Sequence, residues 1–246
     1  MSGKVTIAGI HTVLAVLRYR PERLLELWVS ADRKDQRMDQ LLDLAKKAGA
    51  NVQRVKRQEL DKRADDKHHQ GVVASVRPAT PGTDQQLSQL LDKLDAPPFL
   101  LVLDGVTDPH NLGACLRSAD AAGVHAVITP RDRSAHLNPT VDRVSSGASQ
   151  VLPLFQVTNL ARCLKSLQQR GIWLTGLAGE ASDSLYEANL QGPVALIMGA
   201  EGQGLRRLTR DTCDHLVRIP MAGQVESLNV SVAAGVCLFE ALRQRI

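Results

Sequence analysis

From Phe99 onward, short apolar runs alternate with stretches of helical period, and that alternation constrains the fold more than any other feature of the chain. Phe99-Leu-Leu-Val-Leu-Asp104 opens as an unbroken apolar run, as a strand buried on both faces requires. Val124–Ile128, Ile172–Thr175, Val194–Met198 and Leu216–Ile219 read as further strands. Between and after them, helical patterns cover 111–122, stopped by Gly123, then 160–170, a short basic stretch at 205–210, and a last helix over about 228–243. Such alternation predicts an α/β fold, a mostly parallel sheet covered by helices.

The first third of the chain reads differently. Leu24–Val29 and Gly71–Val76 read as strands, and Met38–Ala45 carries the i, i+3, i+4, i+7 pattern of an amphipathic helix ending near Gly49. This predicts a small α/β domain over residues 1–77. Two prolines and a glycine break the pattern in Arg77–Asp84, so a linker is expected over 78–98, with a short helix at 86–94 before Pro97-Pro98. A second domain then covers 99–246.

Charge separates the same two regions. Residues 1–77 hold 16 Lys and Arg against 10 Asp and Glu, whereas the remainder holds 14 against 16. A basic module joined to a near-neutral one suits a nucleic-acid-binding domain fused to a catalytic one, or else an ordinary solvated surface. Aromatic residues make up only 3% of the chain, which argues against base stacking as the main binding mode. No run is long enough to span a bilayer and the start of the chain lacks a signal peptide's apolar stretch, so a cytoplasmic protein is expected. Cys115, Cys163, Cys213 and Cys237 are widely spaced in apolar contexts, as buried thiols rather than zinc ligands or disulfides. No His, Asp and Glu cluster has metal-ligand spacing.

Three loops carry the chemistry. Met198-Gly-Ala-Glu-Gly-Gln-Gly204 follows a strand; its glycines suit either close approach to a ligand or a tight turn. It lacks the Lys-Ser/Thr of a phosphate loop and the spacing of a dinucleotide fingerprint, and Glu201 disfavours phosphate. Ile219-Pro-Met-Ala-Gly-Gln-Val-Glu-Ser-Leu-Asn-Val-Ser-Val-Ala233 runs from a strand through a turn into a helix. Ser227 and Asn229 there could serve a ligand, or Ser227 could simply cap the helix. Asn111-Leu-Gly-Ala-Cys-Leu-Arg117, preceded by Asp104-Gly-Val-Thr-Asp-Pro-His110, sets Asn111 at a helix start and Arg117 about 9 Å further along its axis. His68-His69-Gln70 reads more readily as a polar turn before a strand than as an RNA contact.

In this order the three loops resemble the motifs of the SpoU/TrmH family of RNA ribose 2′-O-methyltransferases, within the SPOUT superfamily, and the resemblance covers nearly the whole chain. It implies a ribosomal-protein-like RNA-binding N-terminal domain and a catalytic domain tied in a C-terminal trefoil knot, which nothing in the periodicity reveals. It implies S-adenosyl-L-methionine as methyl donor, held by Gly199, Ile219, Met221 and Leu228, with Asn111, Arg117, Glu201, Ser227 and Asn229 in the active site and no metal. Arg117 is always protonated, so it suits clamping a phosphate and stabilising an alkoxide better than acting as a base, with Glu201 as a group that could orient it. The branch resembled most closely methylates a guanosine ribose of 23S rRNA in the peptidyl-transferase region, on naked rRNA or an assembling large ribosomal subunit, and usually acts as a homodimer through the catalytic domain. The rival readings are a tRNA ribose methyltransferase, which mostly lacks the basic N-terminal module, a non-catalytic RNA-binding protein and, on the glycine loop, a nucleotide-binding oxidoreductase. One departure stands out: Gly147-Ala-Ser-Gln150 occupies the place of that branch's usual Gly-Ala-Ala-Glu.

Overall fold

The computed structural model describes residues 3–64 and 68–246 and divides into two compact units, Met1–Thr80 with Leu137–Val151, and Pro81–His136 with Leu152–Ile246. The first begins with β1 (Val5–Ala8), α1 (Ile10–Tyr19), β2 (Leu24–Ser30), α2 (Gln36–Lys47), β3 (Val52–Val55), α3 (Arg57–Arg63) and β4 (Val72–Val76). The chain then runs through α4 (Asp84–Leu91), β5 (Phe99–Asp104), α5 (Pro109–Ala121) and β6 (Ala126–Pro130). It returns to the first unit for α6 (Pro139–Val144) and α7 (Ala148–Val151). The rest belongs to the second unit: β7 (Leu154–Val157), α8 (Leu160–Gln169), β8 (Trp173–Leu177), β9 (Asp183–Ser184), β10 (Val194–Gly199), α9 (Arg207–Thr212), β11 (His215–Arg218) and α10 (Val230–Arg245).

The first unit holds a mixed four-stranded sheet in the order β1-β4-β2-β3. Strands β1 and β2 pair antiparallel with β4, and β3 runs parallel to β2. Its core joins α1 and α2 to one sheet face through Ile7, Val13, Leu17, Leu27, Leu41 and Val72. The segment 137–151 packs on α1. A Cβ on Gly147, at φ +99, would stand 2.7 Å from the Ala15 Cβ and 3.2 Å from the His11 carbonyl, so only glycine permits that approach. His69 is buried, its Nδ1 accepts from the Gly71 N–H at 3.0 Å, and its Nε2 pairs with Asp61 at 3.0 Å. The proton therefore sits on Nε2, and the polar-turn reading of this segment holds.

The second unit is a seven-stranded sheet in the order β7-β6-β5-β10-β8-β11-β9, and every pairing in it is parallel. All six residues of β5 are buried, as a strand covered on both faces demands. One face packs on α8 through Leu164, Leu167, Ile172, Leu174, Ala195 and Ile197. Helix α10 packs against α5 and β10. Burial pushes the thiols of all four cysteines up to about 12, as inert core groups. No described helix is long and apolar enough to cross a membrane.

The sheet order sets where the motifs meet. Strand β10 enters between β5 and β8, so the loops leaving β5, β10 and β11 lie at the carboxyl ends of strands near one another. Ligands of open parallel sheets bind at such ends.

Candidate active site

Three side chains from three distant loops form one hydrogen-bonded cluster. Asn111, on the first turn of α5, donates from Nδ2 to Glu201 Oε2 at 3.2 Å. Asn229 donates from Nδ2 to Asn111 Oδ1 at 2.9 Å and to Glu201 Oε1 at 3.1 Å. The orientation of Asn229 is forced: its Oδ1 accepts from the Ser231 N–H at 2.9 Å and the Ser231 hydroxyl at 2.6 Å. That bond caps α10, so the amide nitrogen must face the other way, towards Asn111 and Glu201. Both Asn229 hydrogens are thereby used. Among the described residues nothing takes the second amide hydrogen of Asn111, which is left for a ligand. Asn111 is itself fixed because Asp108 caps α5 through the His110 N–H at 2.9 Å and Pro109 starts the helix.

The cap of α10 is Asn229, not Ser227, and the helix starts at Val230 rather than near Leu228. Ser227 is exposed and makes no capping bond among the described residues. Glu201 pairs with the two amides, whereas Arg117 is exposed on α5 and forms no ion pair with a described residue.

Two cavities flank the cluster. One, of about 550 Å³, is lined by Gly199, Glu201, Ile219, Met221, Ser227 and Leu228, with Leu177, Met198, Leu205 and Ala233 giving it an apolar wall. The other, of about 640 Å³, is lined by Asp104, Asp108, Asn111, Arg133, Glu201 and Arg206. Ala200, Glu201, Gln203, Gly204 and Val230 line both. Arg117 lines neither.

The wall between the cavities is a closed loop. The Ala200 N–H donates to the Gly204 carbonyl at 3.1 Å and the Gly204 N–H to the Ala200 carbonyl at 2.9 Å. A Cβ on Gly199 would fall 2.1 Å from the Gly204 carbonyl carbon, so this glycine is demanded by the loop's own closure. Gly202 and Gly204 take left-handed φ values of +75° and +65°. Behind it, the fully buried Asp104 accepts from the Arg206 N–H at 3.2 Å and pairs with the Arg206 guanidinium, fixing the loop's exit. Neither residue stood out in the sequence, although an acid ending an apolar strand is the signal to look for.

The first cavity suits an S-adenosyl group. Among the described residues, the backbone from 219 to 228 forms no hydrogen bond with another backbone group, so its N–H and C=O groups are available to a ligand. The apolar wall suits an adenine ring. No group of three or more His, Cys, Asp or Glu among the described residues could hold a metal ion.

Residues 98–239 match the SpoU rRNA Methylase family, and residues 6–82 match the RNA 2'-O ribose methyltransferase substrate binding family. The chain belongs to the SpoU rRNA methylase family. Among its relatives are 23S rRNA (guanosine-2'-O-)-methyltransferases RlmB. That of Shewanella oneidensis is 56% identical over 97% of this chain and 97% of its own. That of Escherichia coli is 55% identical over 97% and 98%. A solved RNA 2'-O ribose methyltransferase superimposes with a TM-score of 0.78 at 30% identity, covering 99% of this chain and 89% of that one. The SpoU methyltransferase AviRb from Streptomyces viridochromogenes, solved with AdoMet, shares the fold with a TM-score of 0.79 at 24% identity, over 98% and 90%.

Proposed function

We propose that this chain transfers the methyl group of S-adenosyl-L-methionine to the ribose 2′-hydroxyl of a guanosine in 23S rRNA, during maturation of the large ribosomal subunit. The observation that carries this reading is the pair of cavities sharing one wall, with Glu201 in that wall, Asn111 lining the second cavity, and Asn229, which lines neither, hydrogen-bonded to both. A donor in the first cavity and a nucleotide in the second would meet across the cluster. RlmB relatives at 55–56% identity over nearly the whole chain support the guanosine of 23S rRNA rather than a tRNA ribose.

The reaction forms a bond from O2′ to the methyl carbon, breaks the methyl–sulfur bond and releases S-adenosylhomocysteine and one proton. A sulfonium methyl is already activated, so alignment supplies much of the acceleration. In this reading Gly199, Ile219, Met221 and Leu228 hold the donor, and Ser227 lies at its edge. Glu201 positions the two amides, and the free hydrogen of Asn111 is offered to the ribose.

Arg117 is assigned to a neighbouring phosphate and the developing alkoxide. Its exposed place on α5, outside both cavities, suits action across a homodimer through the catalytic domain. Helix α10 presents Val232 and Phe239 to solvent at 52% and 50% exposure, two turns apart, as a dimer face would. We further infer a basic RNA-binding domain over 1–77 with a linker over 78–98, the family's trefoil knot, and a cytoplasmic location where rRNA is assembled.

The test is methyl transfer in vitro. The full chain with tritiated donor is expected to label 23S rRNA but not tRNA, at ribose 2′ positions. Label in tRNA alone would favour the rival substrate, and no label in either would remove the activity.

A further inference from the structure

The second cavity carries an inference about how the nucleotide is chosen; it rests on the methyltransferase reading above. Arg133 lines this cavity, is exposed, and has no hydrogen-bond or ion-pair partner among the described residues. The other arginine there, Arg206, is engaged by the buried Asp104. Arg133 also sits at φ +57°, a left-handed conformation that a long side chain seldom adopts. Its loop is pinned on one side, where the Ser134 hydroxyl donates to the Pro130 carbonyl and the Ala135 N–H to the Val106 carbonyl. Backbone strain held by such anchors beside a cavity is a mark of a functional position.

Charge decides what Arg133 meets. Two arginines and three carboxylates, Asp104, Asp108 and Glu201, line the cavity, so a phosphate would enter against an excess of negative charge. A neutral base with both donors and acceptors would not. Guanine offers O6 and N7 side by side to an arginine fork, and N1–H and N2–H₂ to a carboxylate. Asp104 is already engaged by Arg206, and Glu201 by Asn111 and Asn229. Asp108 gives one oxygen to the cap of α5, and its other oxygen has no hydrogen bond among the described residues. We propose that Arg133 and Asp108 are the guanine-selecting pair of the acceptor cavity, Arg133 on the O6/N7 edge and Asp108 on the N1/N2 edge. Adenine would present its amino group to the guanidinium and a bare N1 to the carboxylate, and so would be rejected.

The test uses the full chain and short synthetic RNAs spanning the guanosine it methylates, with guanosine, 7-deazaguanosine or inosine at that position. A further RNA carries a methylphosphonate at the flanking phosphate. Wild-type kcat/KM is expected to fall about 2- to 10-fold on 7-deazaguanosine, which removes one acceptor of the bidentate contact and leaves O6. Arg133→Ala, or Arg133→Asn, which tolerates the left-handed φ, should lose more than that on guanosine and a smaller factor on 7-deazaguanosine, where only the O6 contact is left to lose. Asp108→Asn keeps the helix cap and should lose activity on guanosine and a smaller factor on inosine, which lacks the 2-amino group but keeps N1–H. Arg131→Ala, in the same loop but outside the cavity lining, should leave turnover unchanged. The proposal is overturned if the Arg133 and 7-deaza losses multiply, if the Arg133 loss instead vanishes on the methylphosphonate RNA, or if Arg131→Ala matches Arg133→Ala. Wild-type turnover on unmodified RNA checks the underlying reading separately; a chain that methylates no RNA overturns both.

Discussion

The Asn229 carboxamide joins Asn111 across 118 positions of sequence, donating at 2.9 Å to an oxygen whose own amide partner holds Glu201. One side chain thus does two jobs, because its oxygen caps α10 while its nitrogen closes the cluster. The start of the last helix and the wall between the two cavities are thereby fixed to each other.

Those two jobs can be separated. Asn229→Ala should lose both, costing about 1 kcal/mol of stability for the cap. Asn229→Ser should keep the cap, and so most of the stability, yet lose the amide. Single-turnover methyl transfer should fall at least about tenfold in both variants, the worth of one hydrogen bond of roughly 1.4 kcal/mol. A Ser variant with full activity would confine Asn229 to capping.

Arg117 separates chemistry from folding. It is exposed and unpaired among the described residues, so Arg117→Ala and Arg117→Lys should each change stability by less than about 0.5 kcal/mol. Both should lower turnover by about 10²–10³, as loss of one contact to developing negative charge does. Lysine should rescue little, because it keeps the charge but not the planar fork. Calorimetry with S-adenosyl-L-methionine should give unchanged donor affinity. Wild-type turnover in Arg117→Ala would remove Arg117 from the mechanism.

Gln150 has a structural reason that the sequence hid. Its Nε2 donates to Asp142 Oδ1 at 2.6 Å, beside the Ser149 hydroxyl, also at 2.6 Å. Burial raises the Asp142 pKa; the Ser149 and Gln150 hydrogen bonds and the Arg23 charge oppose this in part. An acid with a raised folded pKa costs stability above that pKa, and the cost is relieved as pH falls through it. Gln150→Glu would set a second carboxylate against the first. It should destabilise by about 1–3 kcal/mol near pH 7, the cost of an unsatisfied buried group, and by less towards pH 5, where the pair can share a proton. Thermal melts over that range check it; a deficit that grows on acidification would contradict the arrangement.

Local pattern carried much of the second unit. The short apolar runs of β5, β8 and β10 and the long uninterrupted stretch of the last helix are local features that the sequence shows directly. The loop motifs led to Asn111, Glu201 and Asn229, which share one cluster. The helical pair at 139–151 escaped, and so did its partner. Its placement depends on Gly147 meeting α1 from more than a hundred residues away, which no local pattern encodes. Strand β3 was missed because it is only half-buried, and β9 because two residues carry no period. The cap moved from Ser227 to Asn229 because capping propensity alone ranks the two alike. Arg133 carried no sequence signal, since its interest lies in a backbone angle and a missing partner.

The most direct measurement is a map of ribose 2′-O-methylation across 23S rRNA in four strains: one with the gene intact, one with it deleted, and the deletion complemented with either the wild-type gene or Glu201→Gln. Glutamine at 201 turns one side of the carboxylate into a donor facing the amide hydrogens of Asn111 or Asn229, so the cluster cannot close. The expected result is one guanosine that loses its 2′-O-methyl on deletion, regains it with the wild-type gene, and stays largely unmethylated with Glu201→Gln. A map unchanged by deletion, or fully restored by Glu201→Gln, would contradict methyl transfer at this cluster.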